Sequence, residues 1–142
     1  MKKFQFSLQR LLDLREFREK QAELALGKAN AARDAIQMEL EEVARKRVQA
    51  ASERRGSLPI QDLVAIEHYV SRLDSRKERL LEDLASAELV VEQMREKYLA
   101  ATRDRQVITK LKEKQQSAWR KDYLELESAT LDDMTSSRLE KE

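Results

Sequence analysis

The side chains able to do acid–base, nucleophilic or metal chemistry are few in this sequence and do not converge. There is one histidine, His68, and no cysteine. His68 lies between Ile66 and Val70 but off the apolar seam those residues define, which is where a solvated helix-surface histidine sits. Without cysteine there is no thiolate nucleophile, no disulfide and no Cys/His cluster for a transition metal. The adjacent acids Glu41-Glu42 and Glu82-Asp83 read as solvated helix faces. The two glycines, Gly27 and Gly56, stand apart and form no phosphate-cradling loop. Catalysis needs a concave, partly desolvated site where groups meet. The chain is therefore expected to be no enzyme and to use no metal or cofactor.

The chemistry that remains is binding. Three groups of residues carry it. Near the start, Phe4-Gln5-Phe6-Ser7-Leu8-Gln9-Arg10-Leu11-Leu12 would place Phe4, Leu8, Leu11 and Leu12 on one helical face. That face either caps a second helix around Tyr98 and Ala101 or docks a partner. Towards the end, Lys110-Leu111-Lys112-Glu113-Lys114 runs through Trp119, Arg120 and Lys121 as a basic helix carrying an aromatic. Such a helix suits a nucleic acid, an anionic lipid surface or an acidic protein surface. Its modest charge and the acidic stretch after it favour the protein. Glu19, Arg33, Arg47 and Lys77 form the third group. They are charged residues at seam positions, where long stems snorkel outward and weaken pairing.

The elements that position these groups are helices. Charged residues make up 39% of the 142 residues, aromatics 5%, and proline occurs once. An ordinary domain carries about 25% charged residues, and this mixture marks a long helix or coiled coil. One strong break occurs, at Arg54-Arg55-Gly56-Ser57-Leu58-Pro59, where Gly56 could close a helix in the left-handed region and Pro59 could open the next. Before the break, Leu8, Leu12, Arg15, Glu19, Ala22, Leu26, Ala29, Arg33, Ile36, Leu40, Val43, Arg47 and Ala50 follow alternating steps of four and three. After it, Leu63, Ile66, Val70, Leu73, Lys77, Leu80, Leu84, Ala87, Val91, Met94, Tyr98, Ala101, Arg105 and Ile108 do the same. A repeat averaging about 3.5 residues holds one stripe against a partner helix.

The expected fold is all-α, a long two-helix antiparallel coiled-coil hairpin whose second helix overhangs the first. It is read as a single domain over 1–142. The first helix spans about 6–52, the turn 53–58, the second helix about 59–135, and a frayed acidic tail 136–142. If the turn centres on Gly56, Leu8 lies opposite Arg105, and a stripe of Leu111, Gln115, Trp119, Tyr123 and Leu126 runs on without a partner. Charge is segregated in the same place. Residues 103–121 carry seven basic and two acidic groups, and residues 122–142 carry two and seven. No apolar run long enough for a leader or a membrane span is present, so no direct membrane insertion is expected and a cytoplasmic location is read.

The two terminal motifs also resemble the FliJ family, the flagellar type III export stalk proteins. The matching stretches are residues 4–16 (Phe4-Gln5-Phe6-Ser7-Leu8-Gln9-Arg10-Leu11-Leu12-Asp13-Leu14-Arg15-Glu16), Leu111-Lys112-Glu113-Lys114-Gln115, Tyr123, and Leu131-Asp132-Asp133. The resemblance implies a coiled-coil stalk, similar to the central shaft of rotary ATPases, that works peripherally at the inner-membrane export apparatus. Its implied partners are the hexameric export ATPase, the transmembrane export-gate protein and export chaperones. It assigns the ATPase contact to Phe4, Phe6, Leu8, Leu12, Leu111, Lys112 and Lys114, beside the overhang residues Trp119 and Tyr123. The alternatives are a generic cytoplasmic coiled-coil adaptor, a stalk of a virulence-type secretion system, and a basic-helix nucleic-acid or lipid binder.

Overall fold

The computed structural model describes residues 3–141. It contains two α-helices, α1 over Gln9–Glu53 and α2 over Ile60–Lys141, and no strand among the described residues. The helices pack against one another antiparallel, and α2 continues beyond the residues that pair, as the two uninterrupted heptad runs require. Contacts divide into two units. One is Gln21–Leu99; the other joins the chain up to Lys20 with the chain from Ala100 onward.

Within Gln21–Leu99 the seam is the expected one. Val43, Leu73 and Leu80 are buried together, with Ile36 and Leu40 packed on them. Ala29, Ala50 and Val91 are buried at other heptad positions. Two seam positions differ: Arg47 and Lys77 are exposed. A guanidinium and an ammonium stay hydrated while their stems leave the seam. Arg47 reaches Asp74, with Nε to Oδ1 at 2.8 Å and a second bond from Nη2 to Oδ2 at 3.3 Å. Arg76 reaches Glu39 at 2.8 Å, and Arg54 pairs with Glu67. All these groups are half-solvated or more, so each pair contributes at most about 1 kcal/mol and serves mainly to mark register. On the outer face, a side-chain hydrogen bond from Arg45, followed by its charge, lowers the pKa of Glu42. That contact is present above the ordinary carboxylate range and is lost as pH falls through the lowered value.

The turn departs from expectation. Neither glycine has positive φ. The end of α1 closes instead through short-range bonds, from Arg55 N–H to Ser52 O at 3.3 Å and from Gly56 N–H to Glu53 O at 3.4 Å. A turn of that pitch needs no left-handed residue. A Cβ added at Gly56 would meet only the Glu53 carbonyl oxygen, at 3.7 Å. Pro59 stands just before α2, where its carbonyl accepts the N–H groups of Asp62 and Leu63, both at 3.1 Å. A missing N–H costs nothing there.

The register also differs. Arg54 faces Glu67, about two turns into α2. At the start of α1 Gln9 meets Lys112, so the residue opposite it is about one heptad beyond Arg105. The first helix begins at Gln9 rather than Phe6, and α2 runs through Lys141 where a frayed tail over 136–142 was expected. No glycine or proline interrupts residues 124–141, and Arg138 and Lys141 lie in the last turn, where cations favour the helix dipole. Glu142 lies outside the described residues.

Candidate partner-binding site

Residues 3–8 lie outside α1, which overturns the expectation that Phe4 shares a helical face with Leu8 and Leu12. Residues 3–6 have no helical turn, and the first backbone bonds are Gln9 N–H to Phe6 O at 3.1 Å and Leu12 N–H to Leu8 O at 2.9 Å.

This arm lies on α2. Phe6, Leu12 and Ile108 are buried together, and Phe4, Leu8, Leu11 and Leu111 pack around them. The partner surface is thus Ile108 and Leu111, not Tyr98 and Ala101, as the register shift dictates. Phe4 then reaches Trp119, with ring centroids 6.1 Å apart and planes inclined at 53°. Trp119 in turn stacks on Tyr123 at 5.5 Å and 19°. Both geometries are favourable for rings with a negative face and positive edge. Trp119 therefore has a partner inside the chain, where an unpaired overhang residue was expected. From residue 124 to 141 every described residue is exposed, Leu124, Leu126, Leu131, Met134 and Leu139 among them.

The structure brings together eight of the nine residues singled out by sequence. Phe6 and Leu12 are sealed inside; Phe4, Leu8, Leu111, Trp119 and Tyr123 are half-buried around them. Lys112 is half-buried too, and its Nζ donates to Gln9 Oε1 at 2.7 Å. The Gln9 amide nitrogen donates onward to Asp13 Oδ1 at 2.8 Å, so Gln9 relays a carboxylate to the ammonium. Lys114 stands apart on an exposed face. Sequence reasoning missed Gln9 and Ile108 as members of this group. Ile108 was legible as the last position of the heptad run; Gln9 carried no signal.

Two backbone bonds, accepted by Phe6 O and Leu8 O, and the apolar side chains hold this N-terminal arm. Burying Phe6, part of Phe4 and part of Leu8 contributes roughly 4–8 kcal/mol by apolar area, to which the aromatic pair adds about 1 kcal/mol. Ordering five residues of backbone costs roughly 5–10 kcal/mol. The two sides are of the same order.

Next to this knot of Phe4, Phe6, Leu8, Leu12, Ile108 and Trp119 sits a polar layer. Arg105 Nε donates to Glu19 Oε2 at 2.9 Å, with about a quarter of each side chain exposed. Arg15 Nη1 donates to the Asp104 carbonyl at 2.7 Å. Removing one partner strands the other charge in a half-dry seam, whereas removing both restores an apolar contact. Glu19→Leu is expected to lower stability by about 1–2 kcal/mol, a value discounted for solvent screening. Adding Arg105→Leu should recover that loss or exceed it. Denaturant unfolding of the two single variants and the double variant checks this; additive losses would mean that the pair is not coupled.

No group of three or more metal-ligating side chains occurs among the described residues, and no helix there is long and apolar enough to cross a membrane. What the knot can do is recognition: an apolar, aromatic surface edged by cations and continued by an unpaired helix. A family model described as "Flagellar FliJ protein" matches residues 4–142. Neither the curated proteins nor the solved structures give a match to the chain.

Proposed function

Because this chain belongs to the FliJ family, whose members are stalk components of the flagellar export apparatus, we propose that it binds and stimulates the hexameric export ATPase through the knot around Trp119. The arrangement of Phe4, Trp119 and Tyr123 carries this reading. Phe4 tilts against Trp119 and Trp119 stacks on Tyr123, with Lys112 beside Phe4, at the point where α2 loses its own partner and runs on exposed. Rigid aromatic groups beside a cation are what a desolvating protein contact with an acidic rim uses. The same stalk links the ATPase to the transmembrane export gate and to export chaperones, on the cytoplasmic side of the inner membrane. It acts by contact and carries out no chemistry of its own.

Titration of the purified chain onto the cognate hexameric ATPase tests this. Hydrolysis and hexamer assembly are expected to rise to a plateau at stoichiometric addition. Trp119→Ala should abolish most of the effect while leaving the helical circular dichroism intact. An unchanged hydrolysis rate and assembly state across the titration would refute the reading. In parallel, a flat titration with random duplex DNA at about 50 mM salt is expected, since a phosphate-driven binder shows its strongest affinity at low salt.

A further inference from the structure

The side of α2 away from Ile108 and Trp119 carries a charge pattern of its own. Arg103, Lys110, Lys114 and Lys121 are followed at the same helical spacing by Glu125 and Asp132, and all six are exposed. At about 100° per residue they fall within an arc of about 60°. The charges of opposite sign in each half lie outside that arc: Asp104 and Glu113 in the first, Arg138 and Lys141 in the second. Arg105 and Lys112 turn instead to α1, where they bond to Glu19 and Gln9. The stripe is therefore purely basic before residue 122 and purely acidic after it. No hydrogen bond or ion pair among the described residues engages any of the six. Nor can the two halves meet within one chain, because α2 is a single helix over Ile60–Lys141 with no glycine or proline at which to bend back. The complement has to come from another molecule.

We propose that this stripe is a self-association surface, on which a second copy of the chain lies antiparallel with its acidic half on the basic half of the first. About a two-fold axis at the level of residue 123, Lys121 faces Glu125, Lys114 faces Asp132 and Val107 faces Leu139, and symmetry forms each contact twice. Val107 is 62% exposed and Leu139 70%, so the register that matches the charges also covers two bare apolar side chains on the same stripe. Other orientations do worse. Parallel and in register, Lys114 would meet Lys114 and Asp132 would meet Asp132, and like charges set together are costly. Parallel and staggered, the signs match but each added copy leaves an open end, which builds a fibre rather than a closed pair. In the antiparallel register residues 105–141 overlap, about 55 Å of helix about 10 Å across. That footprint, on the order of 550 Å² per copy, belongs to the small and weak class of interfaces, so the dimer depends on concentration. Lys114, which stands outside the terminal cluster, has its place in this stripe. The ATPase contact proposed above plays no part in the pairing.

Sedimentation velocity of the full chain over a concentration series tests this. A reversible monomer–dimer equilibrium is expected at about 20 mM salt, weakened on the order of tenfold or more at about 500 mM, because exposed charges are screened. Lys114→Glu and Asp132→Lys each set like charges together twice per dimer, and each should weaken association on the order of tenfold or more. Both residues are exposed, so helical circular dichroism should not change. An equimolar mixture of the two variants should associate as tightly as the wild-type chain, because each supplies at both contacts the charge that the other lacks. The double variant should associate with itself for the same reason. A chain that stays monomeric throughout the low-salt series overturns the proposal. So does a dimer that salt and both single variants leave unchanged, and so does a mixture that associates no more tightly than its components. The ATPase is absent from all these measurements, so their failure leaves the ATPase reading standing. A chain that pairs as described but stimulates no hydrolysis counts against that reading only.

Discussion

Leu12→Ala is expected to destabilise the end of the molecule around the N-terminal arm by about 2–5 kcal/mol, the range for truncating a leucine in a packed core. Leu12 is 3% exposed and touches both halves of its cluster, Phe6 from the arm and Ile108 from α2. The shortened side chain removes contact with each of them. The arm has no backbone ladder to hold it, so collapse around the cavity costs the arm its seat rather than closing the gap. The value should therefore lie in the upper part of the range if the arm stays down and in the lower part if it lifts. Chemical denaturation measures the total, and Trp119 emission separates the two cases, since loss of the Phe4 contact reddens it. A loss under about 1 kcal/mol with unchanged emission would show that Leu12 does not anchor the arm.

Filling the wet seam layer acts in the opposite direction. Arg47→Leu combined with Lys77→Leu is expected to raise stability by about 1–3 kcal/mol. Both wild-type side chains leave the seam and border an open hollow of about 480 Å³ lined by Leu40, Val43, Ala44, Val48, Ala51 and Leu81. Two leucines at these heptad positions would pack into it. Losing the exposed Arg47–Asp74 pair offsets about 0.2–1 kcal/mol of the gain. The aliphatic stems already shade part of the hollow, which limits it further. An increased denaturant midpoint with unchanged slope is the predicted result. A lower midpoint would mean that the cations contribute more by their solvated charge than the seam can recover by packing. The charged layer is a cost in stability, and such layers fix register or leave a helix pair easy to remodel.

The helices themselves were legible in the residues. Steps of three and four place Leu73, Leu80 and Val91 on one face whatever the partner, because helix geometry alone carries residue i to the side of i+7. Every position in the two heptad runs came out buried or half-buried except Arg47 and Lys77, the two whose charges hydration could hold outside. The terminal residues singled out from the string also came together, apart from Lys114.

Three things were decided only by the tertiary structure. Register was one. A heptad pattern repeats, so sliding one helix by about seven residues returns the same kinds of residue to the seam. Only the path of residues 54–59 and pairs such as Arg54–Glu67 and Lys112–Gln9 choose among the alternatives. The conformation of Gly56 was another: a helix can close with or without a left-handed residue, and the short-range bonds here closed it without one. The third was the arm. Phe4-Gln5-Phe6 fits both periods, and burying Phe6 against Ile108 while Phe4 reaches Trp119 is a long-range contact that local sequence does not encode. The sequence by itself determined two long helices and their shared stripe. Tertiary packing decided which residues face one another, and so turned an expected unpaired aromatic into one covered by the chain's own first residues.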